Sequence, residues 1–235
     1  MKMKAMASRL LTAYQAIKGT LFICLTISIG YLFLFMLVSY FRVSTADFLI
    51  SVPLTKEGQL WRSVPSLLFH ANWVHFLSNL LGIILLGPFI ERRMGAFGFV
   101  VAFIVIGFAS DLIYAYLLGP VIEAYLGPVA YVSTVLGASS AVMGLIPLAL
   151  MTAAIKAPPM SKFKRVLFGV IIYFLVLSSL PFWSEGIEEQ VSDLCHLAGL
   201  LSGIFVSVAI LVGAFFQKLK KQDRWHDKKM DTPCH

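Results

Sequence analysis

Residues 20–41 read TLFICLTISIGYLFLFMLVSYF, a run of 22 residues without one charge, held between Lys18 and Arg42. A helix rises about 1.5 Å per residue, so such a run covers the roughly 30 Å hydrocarbon thickness of a bilayer. Similar apolar runs lie near 67–90, 96–118, 131–153, 166–183 and 194–216. The fourth is interrupted by Ser133, Thr134, Gly137, Ser139 and Ser140, and the fifth is short. Hydrophobic residues make up 59% of the 235-residue chain and charged residues 13%. Soluble domains hold about 45–50% and about 25%. A soluble fold of this length could not hide so much apolar surface. The sequence predicts an all-α membrane protein with six transmembrane helices in one bundle.

Basic residues orient the bundle. Lys2, Lys4, Arg9 and Lys18 precede the first run, and Arg92 and Arg93 link the second to the third. Lys156, Lys162, Lys164 and Arg165 link the fourth to the fifth, and Lys218, Lys220, Lys221, Arg224, Lys228 and Lys229 fill the tail. Only Arg42, Lys56 and Arg62 fall in an alternate link. By the excess of Lys and Arg in cytoplasmic loops, both termini face the cytoplasm. The net charge of +7 is therefore membrane topology rather than a nucleic-acid surface, and the basic tail suits anionic headgroups. The expected organisation is a cytoplasmic segment 1–19, a six-span core 20–217 and a basic tail 218–235. Cys24, Cys195 and Cys234 form no paired framework and no CxxC motif, so neither disulfide nor metal is implied, and no cofactor. No small-residue cleavage site follows the first run, which reads as a retained helix.

Polar groups inside spans are costly and point to function. The strongest are His70, His75, Asn79, Asp111, Ser139, Ser140 and His196. Counted from the cytoplasmic ends of their helices at about 1.5 Å per residue, His75, Asn79, Ser139 and His196 all fall in the outer half of the membrane. His75 and Asn79, four apart, share one face of span two. His196, Gly199 and Gly203 share one face of span six. Small residues let helix backbones approach, and Gly137, Ala138, Ala141 and Gly144 surround Ser139. A tight contact of spans four and six would bring Ser139 beside His196. His70, five residues from His75, is expected to point elsewhere. Asp111 reads as a structural residue at the outer interface.

A serine hydroxyl needs a base to become a nucleophile, and a neutral imidazole is the usual one. Acyl transfer also needs donors aimed at the developing oxyanion. His75, Asn79 and the Ser139 amide can supply three. Asp193 is expected at the membrane surface, which leaves a Ser139–His196 dyad without a third member.

These residues resemble the rhomboid intramembrane serine proteases. The strings that carry the resemblance are Trp61-Arg62; His70 and His75-Phe-Leu-Ser-Asn79; Gly87-Pro-Phe-Ile-Glu91-Arg-Arg-Met-Gly95; Gly137-Ala-Ser139-Ser140-Ala141; and Cys195-His196-Leu-Ala-Gly199-Leu-Leu-Ser-Gly203. They run from about residue 61 to 205 in the family's order. The resemblance implies Ser139 as nucleophile, His196 as general base, and His75, Asn79 and the Ser139 amide as oxyanion hole. It implies transmembrane proteins as substrates, cut near their outer ends. Trp61 and Arg62 would lie in a partly embedded first loop, and span five with Phe182-Trp183-Ser184 would gate entry. Ser140 stands where many members carry Gly. Met143 stands where members often carry Tyr or Phe against the histidine ring, which its sulfur can still pack.

Two other functions remain open at the level of sequence. One is a catalytically inactive relative that binds membrane clients, although Ser139 and His196 are both present. The other is a small transporter, although no paired halves are visible. Zinc proteases need HExxH, which is absent. An aspartyl protease needs two facing intramembrane aspartates, and only Asp111 is available. The compact core suggests a bacterial or archaeal plasma membrane.

Overall fold

The computed structural model describes residues 17–155 and 186–230, with the single positions Gln15, Gly169 and Tyr173; side chains at 155, 219 and 221–230 are not part of that description. The N-terminal segment, nearly all of the expected fifth span, the loop Phe182-Trp183-Ser184 and the last tail residues lie outside the described residues.

The described chain is helical. Helix α1 (Lys18–Phe41) leads into a first loop with a 3-10 turn (Thr45–Asp47), α2 (Val52–Lys56), a second 3-10 turn (Leu60–Arg62) and α3 (Ser63–Leu68). Next come α4 (Trp73–Leu112), a π-helical segment (Ile113–Leu118), α5 (Gly119–Leu126) and α6 (Pro128–Val132), followed by α7 (Ser139–Ile155) and α8 (Ile187–Met230). Among the described residues, three stretches are long and apolar enough to cross a membrane: Lys18–Phe41, Trp73–Leu126 and Ile187–Lys218. The shorter apolar helix Ser139–Ala154 stands among them.

Helix α4 is two arms. Gly95 sits at φ 73°, ψ 164°, a left-handed conformation that side chains avoid. The chain folds back there, so that a Cβ on Gly87 would lie 3.0 Å from the Phe99 ring. Residues 73–94 and 96–112 thus correspond to the expected second and third spans.

The core follows from apolar residues at helical spacing. Ile23, Ile27 and Tyr31 of α1 pack with Phe76, Ile83, Leu86 and Ile90 of the first arm. Phe99, Phe103 and Ile106 of the second arm and Val142, Leu145, Ile146 and Leu148 of α7 complete it. The opposite face of α1 leaves Phe22, Leu25, Ile29 and Phe33 exposed. In water such a surface would associate; in a bilayer it meets lipid.

Helix α1 has no capping side chain of its own, since Ile17 stands at its N-cap. Glu91, only 3% exposed, supplies the cap from the end of the first arm. Its carboxylate accepts from the Gly19 and Thr20 amides and the Thr20 hydroxyl, each at 2.8 Å. These donors are orphaned by helix geometry, and a carboxylate also favours the positive end of the helix dipole. Glu91→Ala is expected to destabilise the fold by about 2–4 kcal/mol, read as a lower melting temperature in detergent.

Several expected boundaries move. Span two starts at Trp73 rather than near 67, because residues 63–68 form α3 and belong to the first loop. Span three continues through the π segment and α5 to Leu126 rather than stopping near 118. The helix in the place of the expected fourth span starts at Ser139 rather than near 131. The backbone before it bonds elsewhere: Val135 N donates to Ile50 O at 2.9 Å, and Gly137 N donates to Ser66 O at 2.8 Å. Span six starts at Ile187, ahead of the expected 194.

Candidate active site

The site is built where α7 meets α8. A Cβ on Gly199 would collide with the Ser140 carbonyl, and a Cβ on Gly203 with the Gly144 backbone. From the other side, a Cβ on Gly144 would lie 2.8 Å from Gly199 O. The two helices therefore touch backbone to backbone at levels one turn apart, with their chains running the same way. This is the contact expected from Gly199 and Gly203, and it sets Ser139 and His196 on adjoining helices at the same end of the bundle.

Ser139 is the first residue of α7. Val142 N donates to Ala138 O at 2.9 Å, which is the opening turn of the helix. The amides of Ser139, Ser140 and Ala141 therefore have no carbonyl ahead of them in the helix and face outward with the positive dipole end. The two serines diverge. Ser139 lines a cleft of about 590 Å³, whereas the Ser140 hydroxyl turns inward and lies 3.0 Å from that of Ser110. His75, Leu136, Glu188, Val191, Ser192 and Cys195 also line the cleft.

The approach to Ser139 is fixed from below. Gly137 sits at φ 105°, where its missing side chain matters twice. A Cβ there would be strained, and it would lie 2.6 Å from His75 Cε1, 2.7 Å from Nε2 and 3.6 Å from Asn79 Nδ2. The imidazole and the amide thus lie directly over the turn that delivers Ser139. Both come from the first arm of α4. The Asn72 side chain caps that helix by accepting from His75 N at 2.9 Å. His75 and Asn79 follow on one face, one turn apart. Asn79 is 4% exposed, and its Nδ2 has no hydrogen-bond partner among the described residues.

His196 lies one turn before Gly199 on α8. Its Nδ1 is buried and lacks a hydrogen-bond partner among the described residues. Asp193 Oδ1 lies 4.0 Å from it. Asp193 is 8% exposed, its carboxylate packed beside the imidazole. Asp111 is also buried, at 5% exposure, beside a small inner cavity lined by the first loop, the turn before Ser139 and α8.

His70 departs from its expected isolation. Residues 69–72 are not helical, so the five-residue spacing does not turn His70 away from His75. Their ring centroids are 5.1 Å apart, edge to face. His70 also meets Tyr31 at 5.6 Å and Phe76 at 5.5 Å, which ties the site to α1. Met143 is buried in the main core, one turn into α7. Trp61 is 55% exposed and carries the Arg62 guanidinium 4.9 Å above its ring. Arg62 donates to the carbonyls of Ala46 and Leu49 at 2.9 and 3.2 Å, which closes the first loop on itself.

Ser66 escaped the sequence reading. Its hydroxyl accepts from Ile50 N at 2.9 Å and donates to Val135 O at 3.3 Å, while its carbonyl holds Gly137 N. This residue staples the first loop to the turn before Ser139. A serine in a short loop helix carries no signal for that. Among the described residues, no three His, Cys, Asp or Glu side chains gather where a metal ion could be held.

Comparison with known proteins fits this arrangement. The family model described as the rhomboid domain matches residues 57–213. The chain is 31% identical over 156 residues to Rhomboid-like protease 1 of Toxoplasma gondii, covering 66% of this chain and 49% of that protein. It is 26% identical over 151 residues to the putative rhomboid protease YdcA of Bacillus subtilis (strain 168), covering 64% and 67%. It is 24% identical over 165 residues to the rhomboid protease AarA of Providencia stuartii, covering 68% and 59%. The chain thus spans about half the length of the first relative and roughly three fifths to two thirds of the other two.

Proposed function

The chain belongs to the rhomboid family, and from that premise we propose that it is an intramembrane serine endopeptidase with Ser139 as nucleophile and His196 as general base. The observation that carries this reading is the backbone contact of α7 and α8 at Ser140/Gly199 and Gly144/Gly203. It holds the serine and the histidine at one level, beside an open cleft.

The chemistry balances with these groups. The Ser139 hydroxyl attacks the scissile carbonyl carbon and gives its proton to His196 Nε2. The carbonyl electrons move onto oxygen, and the oxyanion meets the His75 imidazole, the Asn79 amide and the Ser139 N–H. Donors already fixed in place stabilise that charge without reorganising. His196 returns the proton to the leaving amine, the C–N bond breaks, and an ester remains on Ser139. Water entering through the cleft then attacks the ester carbonyl, with His196 again taking the proton; the bond to Ser139 Oγ breaks, His196 returns the proton to that oxygen, and the new carboxyl end of the substrate leaves. Substrates are transmembrane segments of other proteins, opened near their outer ends, since a fully bonded helix hides its carbonyls. Six spans with both termini in the cytoplasm place the cleft on the outer side.

Purified protein in liposomes tests the reading. It should cleave a model transmembrane substrate, and a fluorophosphonate should label one serine, Ser139. A folded protein that binds the substrate but neither cleaves it nor reacts with the probe would instead support an inactive client-binding relative.

Gly137 offers a second check. Gly137→Ala forces a Cβ against the His75 ring from a backbone angle that alanine avoids. It should lower kcat by about 10²-fold, the scale of losing one oxyanion donor, with KM little changed. An unaltered kcat would remove His75 from the oxyanion hole.

A further inference from the structure

Resting on the reading of the Ser139 cleft as a protease site, we propose that Glu188 is a specificity residue, which takes a Lys or Arg side chain of the substrate on the outer side of the scissile bond. The cleft that holds Ser139 and His75 is walled on the α8 side by Glu188, Val191, Ser192 and Cys195. These stand at i, i+3, i+4 and i+7, one stripe of a helix, and His196 at i+8 ends it. The stripe thus leads from the proposed base at its inner end to a carboxylate at its outer end. Glu188 is the one acid among the described residues that line the cleft.

Two glutamates stand in the first turn of α8, and they part there. A carboxylate in a first turn answers the positive end of the helix. Glu189 is placed for that, since a Cβ on Gly186 would lie 3.8 Å from its carboxylate oxygen. Glu188 turns to the cleft and is exposed there. It makes no ion pair among the described residues. The sequence offers no cation nearby either, because no Lys or Arg occurs between Arg165 and Lys218. In the first loop, Lys56 bonds the Tyr131 hydroxyl at 3.3 Å, and Arg62 bonds the carbonyls of Ala46 and Leu49. Arg42 ends α1. The Ser133 hydroxyl, also in the cleft wall, donates to Val129 O at 2.8 Å. The carboxylate is thus left to a ligand, and low-dielectric walls focus its field along the cleft.

Helix geometry sets where the cation falls on the substrate. Glu188 precedes His196 by eight residues, roughly 12 Å along the helix. An extended substrate chain advances about 3.3 Å per residue, so the cation stands about three or four residues from the scissile bond. Lys and Arg are sparser on the outer flanks of transmembrane segments than on the cytoplasmic ones. A cleft that prefers them therefore selects few segments from many.

The test uses the full chain in liposomes and one model transmembrane substrate, with Lys, Gln or Glu placed in turn at each position about two to five residues either side of the scissile bond. Wild type should favour Lys over Gln in kcat/KM by about 3- to 5-fold at one or two adjacent positions, the scale of a partly exposed ion pair. Added salt should shrink that preference. Glu188→Gln should bring the Lys-to-Gln ratio to about 1, and Glu188→Lys should turn the preference over in favour of Glu. A ratio taken within one enzyme cancels any loss of folded protein, so a merely structural glutamate would leave it unmoved. No Lys preference in wild type at any position, or a ratio that either variant leaves unchanged, would overturn the proposal. Wild type that cleaves none of these substrates, the Gln series included, is a different result: it removes the protease reading itself and this preference with it.

Discussion

Replacing Ser139 with alanine is expected to lower kcat/KM on a transmembrane substrate by about 10⁴-fold or more, and His196→Ala should do nearly the same. The double variant loses little beyond either single one. Nucleophile and base act as a unit, so removing either stops acyl-enzyme formation and the second loss has nothing left to remove. Ser140→Ala is the matched control. Ser140 follows immediately in sequence, yet its hydroxyl faces Ser110 across 3.0 Å and not the cleft. It should keep most activity and label normally with the fluorophosphonate. Rates for the four variants and wild type in one liposome preparation decide the point, and undiminished cleavage by Ser139→Ala would discard the site assignment.

Gly199→Leu is expected to lower activity sharply by a different route. The new side chain would occupy the space of the Ser140 carbonyl and Cα, which are backbone atoms and cannot step aside. Only separation of α7 from α8 relieves the clash, and a shift of about 1 Å between reacting groups costs on the order of 10²-fold. A leucine needs more room than that, so the expected loss exceeds 10²-fold. Overpacking also costs about 1–3 kcal/mol or more, so the melting temperature should fall as well. Gly213→Leu, on the same helix with nothing near its Cβ position, should leave both rate and melting unchanged. Wild-type cleavage by Gly199→Leu would mean that helix contact does not set the catalytic distance.

Much of this was legible before any coordinate. Uncharged runs of helical length announce lipid as solvent, since the apolar surface exceeds what a soluble core can cover. Gly199 and Gly203, four apart, announce a close helix partner, and they do meet the backbone of α7. His75 and Asn79 announce a shared face, and both lie over Gly137. Other features depended on contacts far apart in sequence. The start of α7 at Ser139 is one. The run from 131 is apolar enough to read as the start of that helix, but the amides of Val135 and Gly137 bond to Ile50 and Ser66, more than sixty positions earlier. Glu91 is another: nothing in GPFIERRMG says that its carboxylate caps a helix starting at Lys18.

The sequence alone determined the solvent, the helical class and the identity of the chemical groups, because composition, periodicity and spacing are local properties of a chain. Only the tertiary structure decided that Ser139 opens its helix instead of lying inside it, that Ser140 turns away, and that His70 packs against His75. Each is a competition between a local preference and a partner brought from elsewhere by packing, and its outcome rests on distances that no linear spacing encodes.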